Sequence, residues 1–587
     1  MNIRLRRRLA APAEFAPATR AGSFRQNPTW VLLAILAIGI VLRTVQYLAD
    51  TSLWLDEIAL VRAILEVDLT DLVTRPLPYV QVAPKGFLIA QKSAVLGFGP
   101  SDYVLRLVPF ICSVVALVAF ASLATRTLSR IAAWVATLLF ATAAPLVAFA
   151  GTVKQYSTDV CVAVILSWIA VDLITRPVTR RRAWSAAVSG ALLQWFSHPS
   201  VLVTTGLAFS VMLWTSTTPP DARRRLVGLI VGLWAASALV VTVSALATMS
   251  PETRDYMRLY WADGFAPTSF AGLLRTGWPW PPIRRLFRGG FGAQAALWYP
   301  LFPLYLTLSV IGVARLWRRQ KRVAVVLTAP LIVTLSAAVA RQYPFSDRLI
   351  LFLVPLALMA IAEAIAAAAQ FAERFSKRLA GLAVLGLSFL AVLPVAKTLP
   401  PYRVEDVKSV LRHVQTKRQP GDEVYVYYGA APVMSVYDAA FGFTRGAYAV
   451  GGCHRGESRR YFEELDSFRG SPRVWVILTH SLPGYRERED IVAYLDAIGI
   501  RSEHVSIASR TVRNDSLPAE GFLYDLSTPA RLAAAASGSF TVTGPTGVNQ
   551  QNTCVSGPHA MIRSDFECTG PPNRRCTRLT ENPGNQR

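Results

Sequence analysis

The feature that most constrains this chain is a repeat of apolar runs, each near the ~20 residues needed to cross a bilayer, with arginine clusters set between alternate runs. Cores of water-soluble domains do not call for runs of that length, so the pattern reads as a polytopic helical membrane protein. The runs are Trp30 to Leu48, Val104 to Leu123, Ala132 to Ala150, Val160 to Ile174, Trp184 to Phe196, Val201 to Trp214, Leu226 to Ala247, Ala295 to Ala314, Val323 to Ala340, Leu349 to Ala369 and Leu379 to Val395. They amount to about eleven transmembrane helices. The pair between 184 and 214 is the least distinct because both halves are short, and removing both would leave the topology of the rest unchanged.

The basic residues fix a sidedness. Arg4, Arg6, Arg7 and Arg8 precede the first run, and Arg126/Arg130, Arg176/Arg180–Arg182, Arg223–Arg225, Arg315–Arg322 and Arg374–Arg378 recur at every second boundary. The positive-inside rule puts these clusters in the cytoplasm. Residues 1–29 are then a cytoplasmic basic N-terminus, and whatever follows the last run is extracytoplasmic, in the plasma (cell inner) membrane. No small-residue cleavage site follows the first run, so it reads as a retained span. The formal charge of +24 is on this account a topology signal and an attraction to anionic membrane lipids, not a nucleic-acid footprint, and no nucleic-acid motif is present.

The chain divides by composition. Residues 30–398 carry the spans, with a long outer loop at 49–103 whose apolar stretches Ile58 to Leu65 and Gly86 to Leu96 suggest short helices on the outer membrane surface. A second outer loop, 249–293, contains Trp278-Pro279-Trp280-Pro281-Pro282, an interfacial aromatic anchor or a cover over a substrate groove. Residues 399–528 read as a soluble α/β domain, with helices at Glu405 to Val414 and Glu489 to Ile498 and strands at Glu423 to Tyr428 and Arg473 to Leu478. Residues 529–587 lack periodicity and read as a disordered tail. Six cysteines are too few for a disulfide scaffold; Cys112 and Cys161 read as small core residues, whereas Cys453, Cys554, Cys568 and Cys576 have the compartment for one or two disulfides that spacing does not assign. No Cys/His spacing suggests a zinc site.

Chemistry-bearing residues collect at outer ends of spans. Trp54-Leu55-Asp56-Glu57 sets two adjacent carboxylates just beyond the first span, with Asp50 before them. Acids at a membrane boundary invite a functional reading, though a solvated helix start would also use them. The same face receives Lys85, the island Lys154-Gln155-Tyr156 with Asp159, His198, and Arg341/Tyr343/Arg348. Carboxylates there can act as a general base, and lysine or arginine can hold a phosphate, arginine through its planar fork. Each basic residue taken singly also suits an interfacial anchor, and His198 a turn.

The first span, Trp54-Leu55-Asp56-Glu57, Pro84-Lys85-Gly86-Phe87 and the stretch Leu96-Gly97-Phe98-Gly99-Pro100-Ser101-Asp102-Tyr103-Val104-Leu105-Arg106-Leu107 together resemble the lipid-dependent membrane glycosyltransferases. The narrower resemblance is to the family 39-like group: protein O-mannosyltransferases, aminoarabinose transferases and Rgt-type bacterial transferases. It covers residues 30 to 395. It implies a GT-C fold, a sugar donor on a polyprenyl phosphate, and surface helices in the first outer loop. It implies Asp56 as the catalytic base with Glu57 beside it, and Lys154, Gln155 and Tyr156 near the lipid phosphate. Asp159 would be a further acceptor-side acid. Lys85, His198 and Arg348 are read as substrate-binding from their place on the same outer face. Relatives often carry Pro-Pro-Leu where this chain has Ala83-Pro84-Lys85.

The expected reaction is an inverting transfer to an extracytoplasmic glycan, lipid or protein. No cofactor is expected, the lipid-linked sugar being a substrate, and a divalent metal stays open. Three other readings stay open on the residues: a transporter or flippase of lipid-linked sugars, a non-catalytic membrane scaffold, and a ligase moving whole glycans from a pyrophosphate lipid. A transporter would want ionisable groups inside its spans, and here they stand at outer ends.

Overall fold

The computed structural model describes residues 29–215, 221–284, 302–397, 399–444, 446–481, 485–510 and 518–528. The expected tail at 529–587, the basic N-terminus up to residue 28, and Cys554, Cys568 and Cys576 lie outside the described residues. Cys112 and Cys161 carry free thiols, and Cys453 is disulfide-bonded.

Among the described residues helices stand at the expected apolar runs, the start of the run Ala295 to Ala314 lying outside them: α1 (Thr29–Leu48), then in the outer loop α2 (Leu55–Glu66), α3 (Leu69–Thr74) and α4 (Lys85–Phe98), then α5 (Asp102–Thr127), α6 (Arg130–Thr142), α7 (Ala144–Ala148), α8 (Tyr156–Thr175), α9 (Arg180–Leu193), α10 (Ser200–Thr215) and α11 (Asp221–Ala247). The second outer loop carries α12 (Pro251–Tyr260) and α13 (Phe270–Thr276). Three long helices follow, α14 (Phe302–Arg319), α15 (Lys321–Val339) and α16 (Val354–Glu373), the last entered through a 3-10 turn at Asp347–Leu353, and then α17 (Lys377–Lys397). Among the described residues six helices are long and apolar enough to cross a membrane, and seven if the bent pair α6 and α7 counts as one span. The chain is thus a multi-pass helical membrane protein.

That bent pair turns by 54° at Ala143. The cause lies in the sequence: Pro145 has no N–H for the carbonyl of Ala141, so the ladder cannot continue. Arg43, fully buried on α1, supplies the missing donors. Its guanidinium donates to the carbonyls of Ala141 (2.9 Å), Phe140 (3.2 Å) and Gly39 (3.0 Å), and to the Ser113 hydroxyl (2.8 Å). A buried arginine is tolerated here because broken-helix carbonyls receive it. The bend swings the chain through a 3-10 turn at Phe149–Gly151 toward Lys154.

The α/β domain contains helices α18 (Val407–Lys417), α19 (Ala431–Tyr437), α20 (Ser458–Leu465) and α21 (Glu487–Ile498), with strands β1 (Glu423–Val426), β2 (Ala449–Val450), β3 (Val474–Leu478), β4 (Ile500–Ile507) and β5 (Ala519–Asp525). Strand order is β2-β1-β3-β5-β4, with β1 parallel to β2 and β3, and β5 antiparallel to β3 and β4. All of Val-Trp-Val-Ile-Leu in β3 is buried, as a strand covered on both faces must be. Alternation sends Val474 and Val476 into one core with Tyr461 and Leu495, and Trp475 and Ile477 into a second with Val410 and Leu411.

The second core corrects one expectation. The stretch 58–65 was expected as a helix lying on the membrane surface, yet Ile58, Leu60, Val61 and Ile64 share their core with Val407, Val410, Val414 and Met434 of the soluble domain. Eight of the twelve residues of α2 are buried. A helix apolar around most of its girth must be covered on more than one side. The outer loop and the α/β domain therefore pack as one body, and α2 is its centre.

Candidate functional site

Asp56 and Glu57 stand in the first turn of α2 and diverge. Glu57 sits at the third helical position and accepts from the Trp54 N–H (3.3 Å), a capping contact, and from the Val153 N–H (2.7 Å); Arg106 Nε lies 4.0 Å away. Its side chain is buried, and burial holds its carboxyl above the ordinary glutamate value. Expected beside Asp56 as a second catalytic acid, Glu57 instead faces inward. Successive side chains on a helix point about 100° apart, so adjacent acids cannot share one opening.

Asp56 turns the other way, toward Lys154 and Arg348. Its Oδ1 lies 2.9 Å from Lys154 Nζ and its Oδ2 3.2 Å from Arg348 Nη2. Burial alone would raise this carboxyl; the charges of Lys154 and Arg348 together outweigh it and hold Asp56 below its ordinary value. For Lys154 burial wins, and the ammonium sits below its ordinary value although Asp56 opposes the shift. Lys154 also donates to Gln81 Oε1 (2.7 Å). The Arg348 guanidinium lies over three rings, Trp261 (5.4 Å), Tyr156 (5.7 Å) and Trp54 (5.9 Å). Planar guanidinium with aromatic walls is a clamp that lysine could not replace.

The remaining expected residues fall into two groups. Gln155 precedes the first turn of α8, its amide 3.4 Å from the Val82 carbonyl, and Tyr156 packs edge-on against Phe149 and under Arg348. Lys85, at the start of α4, and His198, in the turn before α10, line a groove with Arg75, Gln81 and Trp195; His198 bonds the Ala83 backbone. The other wall is apolar: Val241 and Ala245 of α11 and Met249 just beyond its end, with Leu72 and Leu88 also lining the groove. Gln81 belongs to both places, lining the groove and receiving Lys154. Asp159 stands apart: it is buried one turn into α8 and its carboxylate meets Ser197 rather than the opening. Arg341 likewise turns away, donating to the Ala266 carbonyl (3.2 Å), while Tyr343 donates to Leu349 (2.8 Å).

Sequence reasoning missed Gln81, Trp54 as a ring wall, Trp261, Arg75 and Arg106. The Trp/Arg richness of 249–293 was a signal, but the Trp-Pro run at 278–282 drew it; Trp261 is the residue that reaches Arg348. Gln81 carries no local signal. Among the described residues no three His, Cys, Asp or Glu side chains meet as a metal set.

No known protein-family profile matches the chain, and no curated protein matches it. Solved structures do. The oligosaccharyltransferase of Archaeoglobus fulgidus in its apo form aligns at TM-score 0.45 and 12% identity, over 80% of this chain and 73% of that one. ArnT from Cupriavidus metallidurans aligns at TM-score 0.43 and 12% identity in the apo state, over 86% of this chain and 98% of that one. Its complex with undecaprenyl phosphate gives the same score and identity, over 86% and 99%. These are distant likenesses.

Proposed function

We propose that this protein is an integral membrane glycosyltransferase of GT-C type, moving a sugar from a polyprenyl-phosphate donor to a hydroxyl of an extracytoplasmic glycan, lipid or protein. The observation that carries the reading is Asp56 held between Lys154 and Arg348, beside a groove with one cationic end and one apolar wall. A prenyl chain suits the apolar wall to which α11 contributes, and Lys85 and Arg75 of the groove, with Lys154 adjoining it through Gln81, suit the phosphate.

The acceptor hydroxyl gives its proton to Asp56 as its oxygen attacks the anomeric carbon. The bond from that carbon to the phosphate oxygen breaks with its electron pair on the phosphate. Inversion follows from attack opposite the leaving group. The released phosphate carries an added charge, and Lys154 and Arg348 are placed to stabilise it.

The two cations have a second effect. While they pair with Asp56 the carboxylate is a weak base. A donor phosphate that draws them off would strengthen the base in the same event, so donor binding should precede acceptor activation.

The test is transfer in proteoliposomes holding the purified full chain and a panel of undecaprenyl-phosphate hexoses and pentoses, with envelope extracts as acceptor. The reading expects radiolabel from one donor in a new covalent product, with undecaprenyl phosphate released. Label that crosses the bilayer still attached to its lipid would instead indicate a flippase.

A further inference from the structure

The loop between α1 and α2 has no strand or helix to satisfy its backbone, and the α/β domain does so from more than 350 residues away. Ser52 N–H donates to Asp406 Oδ1 (3.0 Å), and Leu53 N–H donates to the Tyr437 hydroxyl (3.0 Å). The next donor, Trp54 N–H, goes to Glu57. The Tyr437 hydroxyl in turn donates to Asp102 Oδ2 (2.6 Å) at the start of α5. Lys408 Nζ donates to that same oxygen (3.1 Å) and to Asp50 Oδ1 (2.6 Å). Asp50 has φ +46°, a left-handed conformation that needs holding in a residue other than glycine. Arg106, on α5, closes the ring by donating to the Ser52 carbonyl (3.3 Å) beside Glu57.

Most members of this ring are shielded from water; Asp50, its side chain 34% exposed, is the most open of them. Leu53 is fully buried, and Asp406, Lys408 and Tyr437 are each less than 10% exposed. A buried N–H left without its acceptor is costly, so the loop follows the domain's side chains rather than slipping past them. Asp56 is three residues beyond Leu53, on the first turn that this loop launches.

We propose that Tyr437 and Lys408 are positioning residues for the Asp56 carboxylate, so that the α/β domain sets where the base stands and is a working part of the catalytic unit. The proposal rests on the reading of Asp56 as the base. Neither residue touches the groove or the Asp56–Lys154–Arg348 cluster; both act through 50–54.

The experiment uses the full chain in nanodiscs with the panel of undecaprenyl-phosphate sugars. Tyr437→Phe removes one hydroxyl and keeps the ring. Lys408→Met keeps the stem and removes the charge. Tyr524→Phe, which deletes a hydroxyl of the same domain bonded to Asp496 on the opposite side of the sheet, is the control. Turnover is normalised to bound undecaprenyl phosphate, so a misfolded fraction does not count. Expected are a fall of about tenfold to hundredfold in turnover per bound donor for Tyr437→Phe and Lys408→Met, an unchanged donor KM, and an acid limb of the pH profile moved upward as Asp56 loses its cations. Tyr524→Phe should match the wild type. Wild-type turnover per bound donor and an unmoved acid limb in Tyr437→Phe would overturn the proposal; if that variant yields no folded protein, the same result in Lys408→Met would do so. Asp56→Asn in the same assay separates the two ideas. If it is inactive while Tyr437→Phe is normal, the positioning proposal fails and the base remains. If it is fully active, the base reading fails with it.

Discussion

Lys154 Nζ lies 2.9 Å from Asp56 Oδ1, and one residue along on each side the Glu57 carboxylate accepts the Val153 N–H at 2.7 Å. The turn that starts α2 and the loop that follows the broken span are thus joined by two adjacent rungs. In one rung the Asp56 side chain keeps 22% exposure. The other is buried and fixes the spacing of the first.

Glu57 should accordingly behave as a structural acid. Glu57→Gln keeps one oxygen acceptor where two backbone donors and Arg106 need a carboxylate, leaving a buried N–H unsatisfied. Thermal unfolding should show a loss of roughly 1–3 kcal/mol, with turnover per folded molecule falling far less than in Asp56→Asn.

Arg348 offers a sharper test of the phosphate clamp. Arg348→Lys preserves the charge and discards the plane that lies over Trp54, Tyr156 and Trp261. A stacked, forked cation is not replaced by a point charge. Turnover should fall about tenfold to a thousandfold, the range for losing an electrostatic stabiliser of a leaving group, and initial-rate kinetics at saturating donor measures it.

How much of this was readable beforehand depends on the range of the forces. The spans were legible because hydropathy acts residue by residue and proline at 145 acts within one turn. Asp56, Lys154 and Arg348 were legible because sidedness alone brings outer ends together. Which of Asp56 and Glu57 turns inward was not, since that depends on how α2 is set by the loop 50–54 and its partners Asp406 and Tyr437. Gln81 and Trp261 were hidden for the same reason: each acts through a contact distant in sequence.

A pH profile follows from the Asp56 environment. The carboxylate must be ionised to take a proton, so rate is lost as pH falls through its pKa. Lys154 and Arg348 hold that pKa below the ordinary value in the free enzyme, so the acid limb of kcat/KM should lie below the ~3.9 of a free aspartate. With donor saturating, the limb of kcat should lie higher than that of kcat/KM, because phosphate then shares the two cations. Coincident limbs would contradict this exchange.

The groove predicts an effect confined to the donor. Lys85 lines it beside Arg75 and Gln81. Lys85→Glu reverses a charge where a lipid phosphate is proposed to sit, and should raise the donor KM at least about tenfold, one decade being ~1.4 kcal/mol. Thermal unfolding should be nearly unchanged, since the substitution lies at a groove wall.

The most direct measurement of the central claim is the turnover of Asp56→Asn in proteoliposomes carrying the reactive donor. Asparagine keeps the size of the side chain and cannot accept the hydroxyl proton. The account predicts a fall of about 10²–10⁴-fold in sugar transfer, with undecaprenyl phosphate still bound and the protein still folded. Transfer within twofold of the wild type would contradict it.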